Sequence, residues 1–190
     1  MRKIKTKFRC PPLILPVCLV GANVGGKPNF QTIAWFNMVD YDPYLIGLSS
    51  EKSHHTNKGI KENKTFSVNI PASNMASVTD FCGIYSGKEV DKSMIFSVFY
   101  GELRTAPMIN KMPINVECKL TQTVKSHHAD FFIGEIVGVY IENKYIVNDK
   151  PDLKSINPLL YEDGLSNYWS IGKLIAKAFH IGKRLKPKSE

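Results

Sequence analysis

Cysteine is scarce in this chain of 190 residues: Cys10, Cys18, Cys82 and Cys118 are the four, and no two of them form a C-x-x-C pair. That spacing excludes a cysteine zinc framework and a redox dithiol, and it favours a reduced, cytoplasmic setting. Long apolar runs are missing too, and none approaches the roughly 20 residues that a membrane-spanning helix needs. The nearest candidate, Leu13 to Val20 behind a basic start, has the outline of a secretory leader. Pro16 interrupts it and no small-residue cleavage site follows cleanly, so it reads as a buried strand. Internal repeats, low-complexity tracts and Pro/Gly/Ser linkers are absent as well. One domain is expected, with a core over about 11–168 and a basic helix and tail over 169–190. A hydrophobic content of 43% is too high for a disordered chain. At this length folding buries roughly 70% of the unfolded surface, so no metal or disulfide is needed for stability.

Familiar catalytic signatures also fail on inspection. Gly21 to Lys27 reads G-x-x-x-x-G-K, but Pro28 follows where a hydroxyl would hold Mg²⁺, and a strand pattern follows where a helix is required. The segment reads as a glycine-rich turn between strands. No G-x-G-x-x-G follows a strand, and Ser86 in Gly83-Ile84-Tyr85-Ser86-Gly87 is one residue out of register with a nucleophile elbow. The pairs His54-His55 and His127-His128 are adjacent in sequence, so their side chains diverge where metal ligands must converge. No metal site and no catalytic side chain is expected.

Charge is the first positive feature. Lysine and arginine number 25 against 17 acidic residues, a net +8. The excess sits partly at the ends, in Arg2, Lys3, Lys5, Lys7 and Arg9 and in Lys177, Lys183, Arg184, Lys186 and Lys188. Such tails read as solvated termini, with nucleic acid or an acidic membrane as the alternative partners, and their field also attracts phosphorylated small ligands.

Strand signals dominate the first two thirds. Leu13 to Val20, Thr32 to Val39, Tyr44 to Ser49, Phe66 to Ile70, Asn115 to Val124 and Phe131 to Ile141 are short, rich in β-branched or aromatic residues, and separated by glycine, proline and Asn/Asp clusters. The series points to a barrel or sandwich. Ser53 is placed to cap a helix running to Asn63, and Ser73 to Phe81 reads as a second helix. Tyr168, Ile171, Leu174, Ile175, Ala178 and Phe179 recur at helical spacing, a stripe expected to pack on the core or on a subunit partner.

Hydroxyl, amide and aromatic residues gather at the ends of these elements. Asn29 to Trp35 reads N-F-Q-T-I-A-W, and Ser49-Ser50 leads into His54-His55-Thr56 at a helix start, where free amides suit a phosphate. A loop from Cys82 to Lys88, closing with Asp91-Lys92, offers compensating cations. At these residues, and at Asp42-Pro43, Thr56 with Ile60, Phe66 to Pro71, Gly83 with Ser86-Gly87, and Phe132-Ile133-Gly134-Glu135, the chain resembles the flavin reductase-like family, within it the flavoredoxin branch. The similarity runs from about Pro11 to Tyr168 and lies in the order and spacing of the elements together.

The resemblance implies a mainly β fold: an FMN-binding split β-barrel, Greek-key and antiparallel, with a few short peripheral helices and a C-terminal helix. It also implies a homodimer with FMN near the subunit interface. Carried over by position, Asn29 would reach the polar edge of the flavin ring, Trp35 would flank it, and Thr32 and Ala34 would line the same strand. Ser49, Ser50, Thr56 and Lys92 would hold the ribityl chain or phosphate. His128 and Tyr161 would approach from the facing side. One of Trp35 and Phe36 should fill the core, because successive strand residues point to opposite faces. On this reading the flavin carries the redox chemistry, with NADH, NADPH or a protein as electron donor and a small molecule or protein as acceptor; neither nucleic acid nor membrane is a partner. Two rivals remain: a nucleic-acid-binding β-barrel using the basic tails with Tyr41, Tyr44 and Tyr100, and a flavin-binding protein without catalysis.

Overall fold

The computed structural model describes residues 1–185, so Lys186 and Lys188 of the basic tail lie outside the described residues. Seven strands form one antiparallel sheet: β2 (Cys18–Val24), β3 (Lys27–Ile33), β4 (Phe36–Tyr41), β5 (Tyr44–Glu51), β6 (Thr65–Ile70), β9 (Ile114–Lys125) and β10 (Ala129–Ile141). Between them lie β1 (Ile14–Pro16) at the start and the two-residue pair β7 (Val98–Phe99) and β8 (Met108–Ile109). After β10 come the ribbon β11 (Ile146–Val147) and β12 (Lys150–Pro151), then β13 (Leu160–Glu162) and β14 (Asn167–Trp169). The large sheet runs β3-β2-β6-β9-β10-β5-β4. Its two edges, β3 and β4, are consecutive in sequence yet do not pair, so the barrel stays open along the line where Ala34 and Trp35 cross from one edge to the other. This is the split expected of a split barrel.

The apolar periodicity accounts for how the sheet is filled. In β2, Cys18, Val20 and Ala22 face the barrel interior with Leu48, Phe66, Val68, Cys118 and Phe132. Helix α1 (Thr56–Asn63) closes that interior with Ile60. Leu19 faces the other way, into a second cluster with Phe30, Cys82, Ile109 and Met112, beneath α2 (Ala76–Ile84). Both faces of β2 are therefore covered, which is why it reads as a continuous apolar run rather than an alternating one. Each large side chain buried in these clusters contributes about 1.5–3 kcal/mol. The polar residue Asn69 joins the layers: its amide donates to the Leu19 carbonyl at 2.8 Å, and its oxygen accepts from the Ile109 amide at 2.9 Å and from Asn115 Nδ2 at 2.7 Å. Gly25 and Gly26 turn β2 into β3 with φ of 57° and 80°, values that glycine adopts without Cβ strain. That hairpin tip, rather than the whole Gly21 to Lys27 segment, is the turn; Gly21 lies within β2.

Three expectations need correction. The run Leu13 to Val20 is divided at Val17, because β1 leaves the barrel to pair with β13, in a small sheet of order β1-β13-β14. The run Thr32 to Val39 is divided at Ala34 and Trp35, where the Phe36 amide donates to the Ala34 carbonyl at 3.1 Å. That kink shifts the parity of the strand: Ile33 and Phe36 both reach the core, and Trp35 is left 58% exposed. Among the described residues the C-terminal helix is absent. Tyr168 belongs to β14, residues 170–177 have no regular structure, and only one short turn of 3₁₀ helix follows at Ile181–Arg184. Among smaller differences, α1 begins at Thr56 with His55 as its cap residue, not at Ser53. The second helical segment begins as a 3₁₀ turn at Ser73–Met75 and runs on to Ile84.

Candidate functional site

A groove runs from the split in the barrel to the start of α1. Its first compartment, about 420 Å³, is walled by Val17, Ala34, Trp35 and Ser49 on one side and by Tyr161, Asp163 and Tyr168 on the other. The small sheet positions the second wall. β13 and β14 pair Tyr161 with Tyr168, whose rings lie 5.9 Å apart, and Trp35 Nε1 donates to Asp163 Oδ2 at 3.0 Å across the split. Tyr168 donates its hydroxyl to Asp80 at 3.1 Å, and burial, then that hydrogen bond to a carboxylate, push its phenol well above the usual value. The compartment is thus an aromatic slot with polar corners.

The second compartment, about 300 Å³, lies at the start of α1 and is walled opposite by the loop from Ile84 to Lys92. The two share Thr32, His54 and Gly83, so the groove is continuous, and each volume is of the size of small-molecule sites. No side chain caps α1 and no acidic residue lies in its first turn, which leaves the helix start open to an anion. Asn29 Nδ2 donates to Thr56 Oγ1 at 2.6 Å. Gly87 packs so closely that an added Cβ would overlap the Asn29 amide. Lys92 is 2% exposed and donates to the carbonyls of Phe30 at 2.9 Å and Cys82 at 2.7 Å.

Burial lowers the basicity of this end, and neighbouring cations add to the effect. The Lys92 ammonium is held below its ordinary pKa by burial. Burial also lowers His54, with Glu51 pulling it up and Lys92 pushing it down. His55 is lowered by burial and then by Lys88, Lys58 and Lys92. A site where three lysines disfavour one more positive charge is a site that favours a negative one.

Beneath the groove lies a buried polar network. Ser50 Oγ donates to Asn57 Oδ1 at 2.6 Å, Gln31 Nε2 donates to Ser50 Oγ at 2.9 Å and to Asn57 Oδ1 at 3.3 Å, and His54 Nδ1 stands 3.0 Å from Ser50 Oγ. Asn57 Nδ2 donates to the Glu51 carbonyl at 2.7 Å. Gln31 Oε1 is buried with no partner.

Residues 11–170 match the family model described as the flavin reductase like domain. The chain belongs to the flavin reductase-like family. Among solved structures it is similar to a flavoredoxin from Methanosarcina acetivorans, at 43% identity over 96% of this chain and 98% of that one, with a TM-score of 0.93. A flavoredoxin of Desulfovibrio vulgaris (Miyazaki F) is 29% identical over 95% of this chain and 100% of that one, at 0.87. An FMN-binding protein from Thermus thermophilus, with bound 1-cyclohex-2-enone, shares the fold at 23% identity over 93% of this chain and 100% of that one, at 0.79.

Of the residues that the flavin reductase-like resemblance singles out, Thr32, Ala34, Trp35, Ser49 and Tyr161 stand together in the aromatic compartment. Asn29, Thr56 and Lys92 stand together in the cationic one, with Thr32 between. Asn29 is therefore grouped with Thr56 and not with Trp35. Ser50 lies beneath the groove, 1% exposed and bonded to the network. His128 lines neither compartment; its ring packs edge-on against His127 at 4.4 Å, and its carbonyl receives the Lys52 amide at 3.1 Å. The sequence reading missed His54, Gln31, Asp163 and Tyr168. His54 and Gln31 stand within segments that the sequence singles out, but without a role of their own, and Tyr168 falls in the helical stripe. Among the described residues no three His, Cys, Asp or Glu side chains gather to hold a metal, and no helix is long and apolar enough to cross a membrane.

Proposed function

We propose that the chain binds FMN and works as an electron-transfer flavoprotein, either flavoredoxin-like or an NAD(P)H-dependent flavin reductase. The observation that carries this reading is the continuity of an aromatic slot with a cationic helix start, joined at Thr32 and His54. The residues fit the group. Trp35 and Tyr161 offer faces to a planar ring. The uncapped start of α1, Thr56 and the cations around it fit a phosphate dianion, and Gly87 opens the space beside it. The Methanosarcina and Desulfovibrio relatives are flavoredoxins, and the Thermus protein is FMN-binding, which supports the same cofactor here.

Once bound, FMN would supply the redox chemistry between a reduced nicotinamide or protein donor and a small-molecule or protein acceptor. The chain's own residues bind, orient and shield. Lys92 holds the Cys82 carbonyl and the β3 backbone together, fixing the loop that faces α1. Asp163 anchors the Trp35 indole and so sets the width of the slot. No side chain is assigned a proton-transfer step.

A homodimer is part of the proposal. A second, mainly apolar hollow of about 420 Å³, lined by Leu13, Leu15, Phe36, Val39 and Phe131, shares Ala34, Trp35, Ser49 and Asp163 with the aromatic compartment. Tyr41 and Tyr44, at the β4 to β5 turn, extend the exposed apolar surface. An exposed apolar face of this kind suits a two-fold dimer with the ring near the interface. The location proposed is cytoplasmic, in keeping with four free cysteines among the described residues. An absorbance spectrum of purified protein, followed by FMN titration and anaerobic addition of NADH and then NADPH, tests the reading. Flavin absorbance and bleaching by a donor are expected, and a protein that neither carries nor binds FMN overturns it.

A further inference from the structure

The neck between the two compartments is built from side chains whose hydrogens are already spent. Asn57 Nδ2 is committed to the Glu51 carbonyl, so its Oδ1 faces Ser50 and Gln31 and can only accept. Ser50 has one hydroxyl hydrogen, and it goes to that oxygen at 2.6 Å. Gln31 Nε2 donates to Ser50 as well. The remaining contact, Ser50 Oγ to His54 Nδ1 at 3.0 Å, must then have the imidazole as donor. A neutral imidazole carries one N–H, so proton occupancy at Nδ1 leaves Nε2 as a bare lone pair on a ring that lines both compartments.

Thr32, the other side chain that lines both compartments, donates its only hydroxyl hydrogen to the Thr79 carbonyl at 2.5 Å. Its oxygen is left as an acceptor. Gln31, in the wall of the cationic compartment, has both amide hydrogen bonds turned inward and its oxygen unpartnered. His54 Nε2 and Thr32 Oγ1 thus offer lone pairs and no hydrogen, while the Gln31 oxygen is buried beneath them; such a pair suits a ligand that carries O–H donors.

We propose that His54 Nε2, with Thr32 Oγ1 at the same junction of the two compartments, forms a hydroxyl-reading subsite that selects flavins whose N10 substituent is a polyhydroxylated chain. This rests on the flavin reading above and adds a specificity-determining residue to it. Ser50 acts behind His54 as a positioning residue, by fixing the tautomer.

The test compares two phosphate-free ligands at pH 8, where the imidazole is neutral: riboflavin and an isoalloxazine with an N10-pentyl chain. Wild-type protein should bind riboflavin about tenfold more tightly, the worth of one buried hydrogen bond whose acceptor is otherwise left unpaired. His54→Leu should remove most of that preference while leaving the pentyl ligand bound as before. Long-range ¹H–¹⁵N NMR of the wild-type protein should show Nδ1 protonated and Nε2 bare. Equal binding of the two ligands, an equal loss of both in His54→Leu, or an Nε2–H tautomer overturns the inference. FMN titrated in parallel separates the two claims. FMN bound without chain discrimination sinks only this one, and failure to bind any of the three flavins sinks the flavin reading with it.

Discussion

Lys92 is a buried charged side chain whose surroundings limit what can replace it. Its ammonium satisfies two buried carbonyls, so Lys92→Met leaves both without a donor. A loss of about 2 kcal/mol in unfolding free energy is expected, read from urea denaturation, together with weaker FMN binding. Gly87→Ala should displace the Asn29 amide from Thr56, weaken FMN binding about fivefold in a fluorescence titration and lower stability by about 1 kcal/mol. The two histidines carry a pH signature of known sign. Their folded pKa values lie below the unfolded value of about 6.5, so the unfolded chain takes up protons first as pH falls. The stability they confer is complete above that value and declines as pH drops through it towards the lower folded values. The urea midpoint should therefore fall on acidification below about pH 6.5, and saturating FMN, whose phosphate stabilises a protonated His55, should blunt the part of the fall that His55 contributes. At this scale the sequence showed residue types but not directions. Ser49 and Ser50 are alike on the page, yet strand alternation sends the first to the groove and the second beneath it. His54 is a groove residue only because Ser50, four residues back, turns its ring.

Elements were more legible than their breaks. The six strand runs are found in the structure because β-branched and aromatic residues alternate or cluster where a covered pleated surface needs them. The breaks at Val17 and at Ala34 with Trp35 left no trace, since an apolar run does not announce where its backbone transfers to another sheet. The C-terminal stripe failed for the opposite reason. Leu174 and Phe179 recur at helical spacing but are 93% and 92% exposed, and a short amphipathic segment without a face to bury against lacks what stabilises most protein helices. Asn69 shows how polar groups hold elements together. Asn69→Leu strands the Leu19 carbonyl, the Ile109 amide and Asn115, and should lower stability by roughly 3 kcal/mol in thermal or urea unfolding. It should unlock the loop leading to β8 without touching the groove.

For the molecule as a whole, the family assignment and the split-barrel architecture followed from the order of weak motifs along the chain, whereas the proposed assembly rests on a surface that only the fold creates. Val39 lines the apolar hollow and is itself exposed, so Val39→Asp places a charge where a second subunit is proposed to sit. Sedimentation should show a monomer where the wild type is a dimer, and FMN affinity should drop in the same variant although Val39 does not line the aromatic compartment. A variant that stays dimeric and binds FMN normally would detach the site from assembly.

The shared partition of Ala34, Trp35, Ser49 and Asp163 has a thermodynamic corollary. If the proposed partner subunit fills one hollow and the flavin ring the other, the shared residues couple the two events, and by reciprocity the help that pairing gives to flavin binding equals the help that flavin gives to pairing. Dilution should therefore leach colour from the protein, and added flavin should draw it back into pairs.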